Sequence, residues 1–288
     1  MPSTKTNLRI ARILNKAVGF ARRLVGRSQT AQVKRKGIEW LLDLNEGIDL
    51  AIYLGVYQSV PKRVRDRWIK PGSLIVDIGA NIGAFSLPIA SDVGEGGRVV
   101  AVEPTDYAFG KLKGNVALNP AIAPRLIAIQ AGLTDGKSQP EVSAFYSRWP
   151  LDGETQARHP EHLGQAETAA SARFLSLDAL LAELREGRRI SGRVSFIKLD
   201  VDGHELAVLR GAERVFMTDR PSLLIEIAPY VQDEVPGRFE ALLKTLSDFN
   251  YVLERSTTGE ALPMSSDALR AIIGAGAGID ILARPADR

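Results

Sequence analysis

The chain contains no cysteine, which excludes disulfides, thiolate zinc sites and cysteine nucleophiles. It has no uncharged apolar run of about 18 residues, so no spanning helix is expected. The start is basic without an uninterrupted apolar core or a small-residue cleavage site, so a secretory leader is not expected either. Both points fit a cytoplasmic protein. Acidic residues are missing from Met1 to Ile38, where ten lysines and arginines fall. The whole chain carries a net charge of only +3. The remainder is therefore acidic, and a nucleic-acid partner is not expected.

What is present is an ordinary globular composition, 45% hydrophobic and 25% charged over 288 residues, enough for a full core. Ile10, Ile13, Leu14, Ala17, Ala21, Leu24 and Val25 recur at helical spacing, with Arg9, Arg12, Lys16, Arg23 and Arg27 largely between them. This predicts a basic amphipathic helix. Two readings stand: its apolar face packs on the main domain, or residues 1–38 contact an anionic membrane surface or acidic partner. Residues 1–60 read as a basic helical extension. Residues 61–288 read as the main domain, with 136–172 a long irregular, polar loop over the site.

From Leu74 onward strands and helices alternate, which argues for a doubly wound, mostly parallel sheet in an α/β fold. Two apolar strands end abruptly in acids and glycine, at Asp77-Ile78-Gly79-Ala80-Asn81-Ile82-Gly83 and at Asp200-Val201-Asp202-Gly203-His204-Glu205. Ligands in such sheets bind at the carboxyl ends of the strands.

At the first end, Gly79 and Gly83 allow a tight turn and close approach of a ligand. Glu103, at the tip of the next strand, can accept both hydroxyls of a ribose. Dinucleotide sites use G-x-G-x-x-G; here the pattern is G-x-N-x-G after an acid. Asp77 would repel a pyrophosphate and suits an ammonium group. The electrostatics favour S-adenosylmethionine over NAD, and no Tyr-x-x-x-Lys pair supports an oxidoreductase.

These stretches resemble the FkbM family of class I S-adenosylmethionine-dependent methyltransferases. The similarity runs over roughly residues 40–230, through Pro71-Gly72 and VDIGANIGAFSLPIA, GRVVAVEPTDYAFGKLKGNVALN, FIKLDVDGHELAVLRGAERVF, and Pro221 to Glu226. The resemblance implies a Rossmann-like, seven-stranded class I sheet and S-adenosylmethionine as cofactor. It implies that Asp77, Gly79, Ala80, Asn81 and Gly83 meet the methionine part and that Glu103 binds the ribose. Asn115 matches a recurrent family asparagine, and Ala131 falls where relatives approach the adenine. The chain departs from the family at Asp202, where glutamate is common, and at Gln58, where relatives often carry Glu.

The second strand end is where an acceptor would meet the methyl group. Four polar groups crowd into residues 200–205, which is costly at a buried strand end unless they are paired or functional. Asp202 or His204 could instead cap the following helix. Displacement at a sulfonium depends mainly on alignment, worth up to roughly 7–11 kcal/mol. A base that draws the proton from an alcohol adds about 10²–10⁴-fold. Asp200 or His204 is the candidate base, with Glu226 at the next strand tip beside the pocket. A divalent ion held by Asp200, His204 and Glu226, joined by His159 and His162, is an alternative, but no tight ligand spacing favours it. The expected activity is O-methylation of a sugar, glycan or secondary-metabolite hydroxyl. A non-catalytic relative docking through its basic helix is the competing reading.

Overall fold

The computed structural model describes residues 4–58, 60–137, 145–151 and 163–286. His159 and His162 lie outside them. In chain order come α1 (Thr4–Leu24), β1 (Thr30–Arg35), β2 (Ile38–Asp43), α2 (Gly47–Leu54) and α3 (Lys62–Trp68). The alternating region begins with β3 (Leu74–Ile78), α4 (Ser86–Asp92), β4 (Arg98–Val102), α5 (Asp106–Ala117) and β5 (Leu126–Ile129). Four short strands follow, β6 (Ala131–Leu133), β7 (Phe145–Arg148), β8 (Gln165–Glu167) and β9 (Arg173–Leu175). The second half holds α6 (Leu177–Glu186), β10 (Val194–Leu199), α7 (Glu205–Arg210), α8 (Glu213–Thr218), β11 (Ser222–Ile227) and α9 (Pro229–Gln232). It closes with α10 (Arg238–Asp248), β12 (Tyr251–Arg255), β13 (Ala261–Leu262), α11 (Ser266–Ile273) and β14 (Ile279–Pro285).

The main sheet has the order β13-β12-β14-β11-β10-β3-β4-β5. β11, β10, β3, β4 and β5 run parallel, and β14 is antiparallel to both of its neighbours, β11 and β12. The seven strands expected from the resemblance are present; the eighth is the two-residue β13, which pairs through Leu253–Leu262 and Glu254–Ala261. The chain direction across the sheet reverses between β3 and β10, the switch point at which ligands bind in open α/β sheets. All five residues of β3 are buried, as expected for a strand covered by helices on both faces. One face packs on α6, α8 and α10 through residues such as Leu181, Phe216 and Phe239.

The other face packs on α4 and on the N-terminal elements. Leu42, Leu44 and Leu50 share one core with Ile75, Leu87 and Phe196. The N-terminal region is not wholly helical: β1 and β2 form a hairpin whose two-residue turn, Lys36-Gly37, takes positive φ at both positions, the geometry that suits a two-residue hairpin. Two asparagines, Asn115 in α5 and Asn119 just past its end, dock this hairpin. Asn115 Oδ1 accepts from Leu41 N at 2.9 Å, and Asn119 both accepts from Glu39 N and donates to its carbonyl.

Two further sequence expectations are revised. The helix read across Glu205–Phe216 is broken into α7 and α8 around Gly211, whose carbonyl accepts from Asp178 N at 3.0 Å while the Asp178 carboxylate accepts from Arg214 N and Val215 N at 2.8 and 3.0 Å. The described parts of 136–172 are not wholly irregular: β7 pairs antiparallel with β8, and the segment is flanked by β6 and β9, which pair parallel with each other. The ribbon is tied to the N-terminal region. Arg148 donates twice to Glu46 Oε1, at 2.9 and 2.7 Å, and Gly47 N donates to the Trp149 carbonyl at 3.1 Å.

Candidate active site

Asp77, Gly79–Gly83, Glu103, Asp200 and Glu226 converge at the carboxyl ends of β3, β4, β10 and β11. The backbone N–H groups of Gly79 and Ala80 both donate to the Val102 carbonyl at 3.0 Å, so the glycine turn is bound to β4. Gly79 has φ of 84°, and an added Cβ would lie 1.9 Å from the Asp200 backbone oxygen. Glycine is required there for the two strand ends to touch. Asn81 also takes positive φ; its N–H donates to Glu103 Oε2 at 2.9 Å and its Nδ2 to the Ser147 carbonyl at 2.9 Å. Asn115 Nδ2 donates to the Ile82 carbonyl at 3.1 Å, so one asparagine links the glycine turn to the hairpin.

Gly79, Ala80, Asn81, Glu103 and His204 line a narrow slot of about 80 Å³ that Phe145 and Tyr146 of β7 cover. Asp77, Gly83, Asn115 and Ala131 are not on its wall. Asp77 and Asn115 stand behind it, and an added Cβ on Gly83 would press on Leu112 and Leu87. The donor set fits S-adenosylmethionine. Asp77 is fully buried, with one oxygen taken by the Ser86 hydroxyl and the other, Oδ1, lacking a partner, as suits a cationic ligand group. Burial pushes the Asp77 and Glu103 carboxyls up from their ordinary values. Glu103 is already held by Thr105 N at 3.0 Å and Thr105 Oγ1 at 2.6 Å. The slot is well below the roughly 300–1,000 Å³ of ligand pockets, and it shares Ile48, Tyr57, Trp149, Asp200 and Asp202 with a larger cavity.

Beside the slot lies a larger cavity of about 710 Å³. Its floor is polar, formed by Asp200, Asp202, Glu205 and Glu226, while α1 and α2 supply apolar walls. Asp200 and Glu226 thus face the large cavity together, and His204 does not: it lines the slot, with its ring 5.5 Å from that of Phe145.

Lys198, which the sequence reading passed over, organises this floor. Its ammonium lies 2.7 Å from Asp200 Oδ2, and its side chain is only 12% exposed. It stands in register with Asp77 on β3. Burial opposes its charge, but Asp200, Asp77 and Tyr57 outweigh that and raise its pKa. Burial likewise works against ionised Asp200, yet the Lys198 ammonium and a hydrogen bond from Glu226 hold its carboxyl below the usual range. Glu226 moves the other way: burial and the charges of Asp200 and Asp202 push it well above the usual range. The two carboxyls are thus pushed apart, Asp200 toward its ionised form and Glu226 toward its protonated, donating form. Burial also pushes the Tyr57 hydroxyl up to about 12, keeping it a proton donor. A lysine near the end of an otherwise apolar buried strand was the available signal for this arrangement.

The 200–205 turn is held by Glu205, not by the expected caps. Neither Asp202 nor His204 caps α7 through its side chain. Glu205 Oε1 accepts from Val201 N at 3.2 Å and Gly203 N at 3.3 Å, and Gln232 Nε2 donates to Oε2. Asp202 takes positive φ, and burial beside Asp200 raises its pKa well above the usual range. Gln58, exposed, borders the large cavity. Among the described residues no cluster of His, Asp and Glu is arranged to hold a metal ion.

Comparison with known proteins follows this geometry. Methyltransferase sdnD of Sordaria araneosa is 31% identical over 160 residues, covering 48% of this chain and 60% of that protein. AMB antimetabolite synthetase AmbE of Pseudomonas aeruginosa is 26% identical over 200 residues, covering 60% of this chain and 9% of that protein. The chain thus spans less than two thirds of the length of either relative. Among solved structures, methyltransferase FkbM from Methylobacillus flagellatus KT aligns with a TM-score of 0.41 at 19% identity, covering 74% of this chain and 44% of that one. A family model described as the methyltransferase FkbM domain matches residues 77–253, more than half of the chain. The chain belongs to the FkbM methyltransferase family.

Proposed function

We propose that this S-adenosylmethionine-dependent methyltransferase acts on a hydroxyl oxygen of a small-molecule or glycan acceptor seated in the 710 Å³ cavity, with Asp200 as the base. The observation that carries the reading is that Asp200 borders both the slot and the cavity while Lys198 keeps it ionised.

The cofactor supplies a methyl group on a sulfonium, an electrophile that needs no activation by the protein. Asp77 and the 79–83 turn are assigned to its methionine part and Glu103 to its ribose. Asn115 supports that turn from behind. Ala131, buried in β6, shapes the sheet edge near the slot. As the acceptor oxygen takes the methyl carbon, the carbon–sulfur bond would break with its electron pair left on sulfur, and the hydroxyl proton would pass to Asp200. Glu226, protonated, and Lys198 spread the charge on that carboxylate. A carboxylate of lowered pKa is a weak base, so most of the acceleration falls to alignment of the acceptor over the slot. His204 is assigned to the slot, where it lies beside Phe145 of β7. Intact acids at both strand ends oppose a purely non-catalytic role.

The test is a pair of variants. Asp200→Asn should bind S-adenosylhomocysteine as the parent does and lose about 10²-fold or more in labelled methyl transfer to a panel of sugar and polyketide alcohols. His204→Ala should raise the KM for the cofactor more than it lowers kcat. Full activity of Asp200→Asn would remove Asp200 as the base.

A further inference from the structure

The amphipathic helix α1 is turned the opposite way from a packing helix. At 3.6 residues per turn, Leu8, Asn15 and Gly19 share one face, and these are its buried residues. Asn15 Nδ2 donates to the Leu44 carbonyl at 2.7 Å, and Arg22 donates to the Ser28 and Thr30 carbonyls at 2.8 and 3.1 Å. Leu8, these polar contacts and the small Gly19 thus hold the helix to the body, with Ala11 and Val18 packed beside them. Ile13, Ala17, Phe20 and Leu24 form the opposite stripe, and all are exposed, Ile13 at 63% and Phe20 at 60%. Arg9, Lys16 and Arg23 fall along one flank of that stripe, exposed as well. The expectation that the large apolar residues pack on the main domain is therefore corrected.

We propose that α1 docks the protein on an anionic lipid bilayer, lying in the plane of the interface. Charge selects the sign of the occupant, since residues 1–38 contain ten basic and no acidic residues. Shape selects a surface over a groove. A peptide-binding groove wraps its helix, whereas α1 keeps one side fixed to the body and offers a single outward strip. A strip of large apolar side chains flanked by lysine and arginine suits the boundary between head groups and acyl chains. Among the described residues no helix is long and apolar enough to cross a membrane. Leu14 and Ile10, next to the outward stripe, also line the 710 Å³ cavity. Docking would therefore set that cavity beside the lipid surface.

The experiment is cosedimentation of the full chain with vesicles of phosphatidylcholine alone and of equimolar phosphatidylcholine and phosphatidylglycerol. The full chain should sediment with the anionic vesicles and not with the neutral ones, and salt should release it. Ile13→Glu/Phe20→Glu and Arg9→Glu/Lys16→Glu/Arg23→Glu should each lose at least about tenfold in vesicle affinity. Calorimetry with S-adenosylhomocysteine on the same preparations should give unchanged affinity, showing that the variants are folded and keeping this inference separate from the methyl-transfer reading. A parent protein that ignores anionic vesicles, as one whose partner is an acidic protein would, overturns the proposal. So do folded variants that bind as well as the parent.

Discussion

Lys198 Nζ, on β10, lies 2.7 Å from Asp200 Oδ2 just past the end of that strand, and this contact favours the ionised carboxyl at the junction of the two cavities. Lys198→Met should let the Asp200 pKa rise. The acid limb of kcat/KM against pH should then move to higher pH, with kcat down by about 10²-fold. Stability should fall by about 1–3 kcal/mol, less than a fully buried pair would lose, because the Asp200 side chain is 40% accessible. An unchanged acid limb would show that Lys198 does not set the state of Asp200.

Glu226 titrates in the opposite sense. Its folded-state pKa is raised by burial and by the Asp200 and Asp202 charges, so the folded state holds this proton more tightly than the unfolded chain does. That contribution to stability is fully present below the ordinary carboxylate value and is lost as pH rises through the raised one. Glu226→Gln keeps a neutral donor to Asp200 at every pH. Its melting temperature should therefore pull ahead of the parent's as pH rises above the ordinary carboxylate range. Parallel curves from thermal melts across pH would contradict the protonated assignment.

Asn115 and Asn119 separate support of the site from support of the fold. Asn115→Ala leaves the Leu41 N–H and the buried Ile82 carbonyl without their partner, and should cost about 1–3 kcal/mol in urea unfolding and weaken binding of S-adenosylhomocysteine. Asn119→Ala loses the contacts to Glu39 and should cost a similar amount with cofactor affinity retained. Equal loss of affinity in both variants would mean that the hairpin as a whole, not the Asn115 link, shapes the turn.

The central sheet was legible because β3, β4, β10 and β11 are apolar runs cut off by acids and glycine, a pattern that only a buried parallel strand needs. Asp77, Glu103, Asp200 and Glu226 could be read together for the same reason. What escaped depended on contacts distant in sequence. The break around Gly211 is held by Asp178, and β7 is anchored by Glu46 through Arg148. Periodicity showed that α1 is amphipathic, but not which face the body would take; Asn15 and Gly19 decided that. Lys198 stood within a quoted motif and was missed because the acids two and four positions later drew the argument. His204 drew attention for its chemistry, yet the turn directs it to the slot.

The most direct test of the account is a crystal structure of the protein with S-adenosylhomocysteine. The account predicts the ligand in the slot, its ribose on Glu103, its ammonium toward Asp77, and its sulfur directed at Asp200 and the 710 Å³ cavity. A ligand bound elsewhere, or one whose sulfur faces away from Asp200, would contradict it.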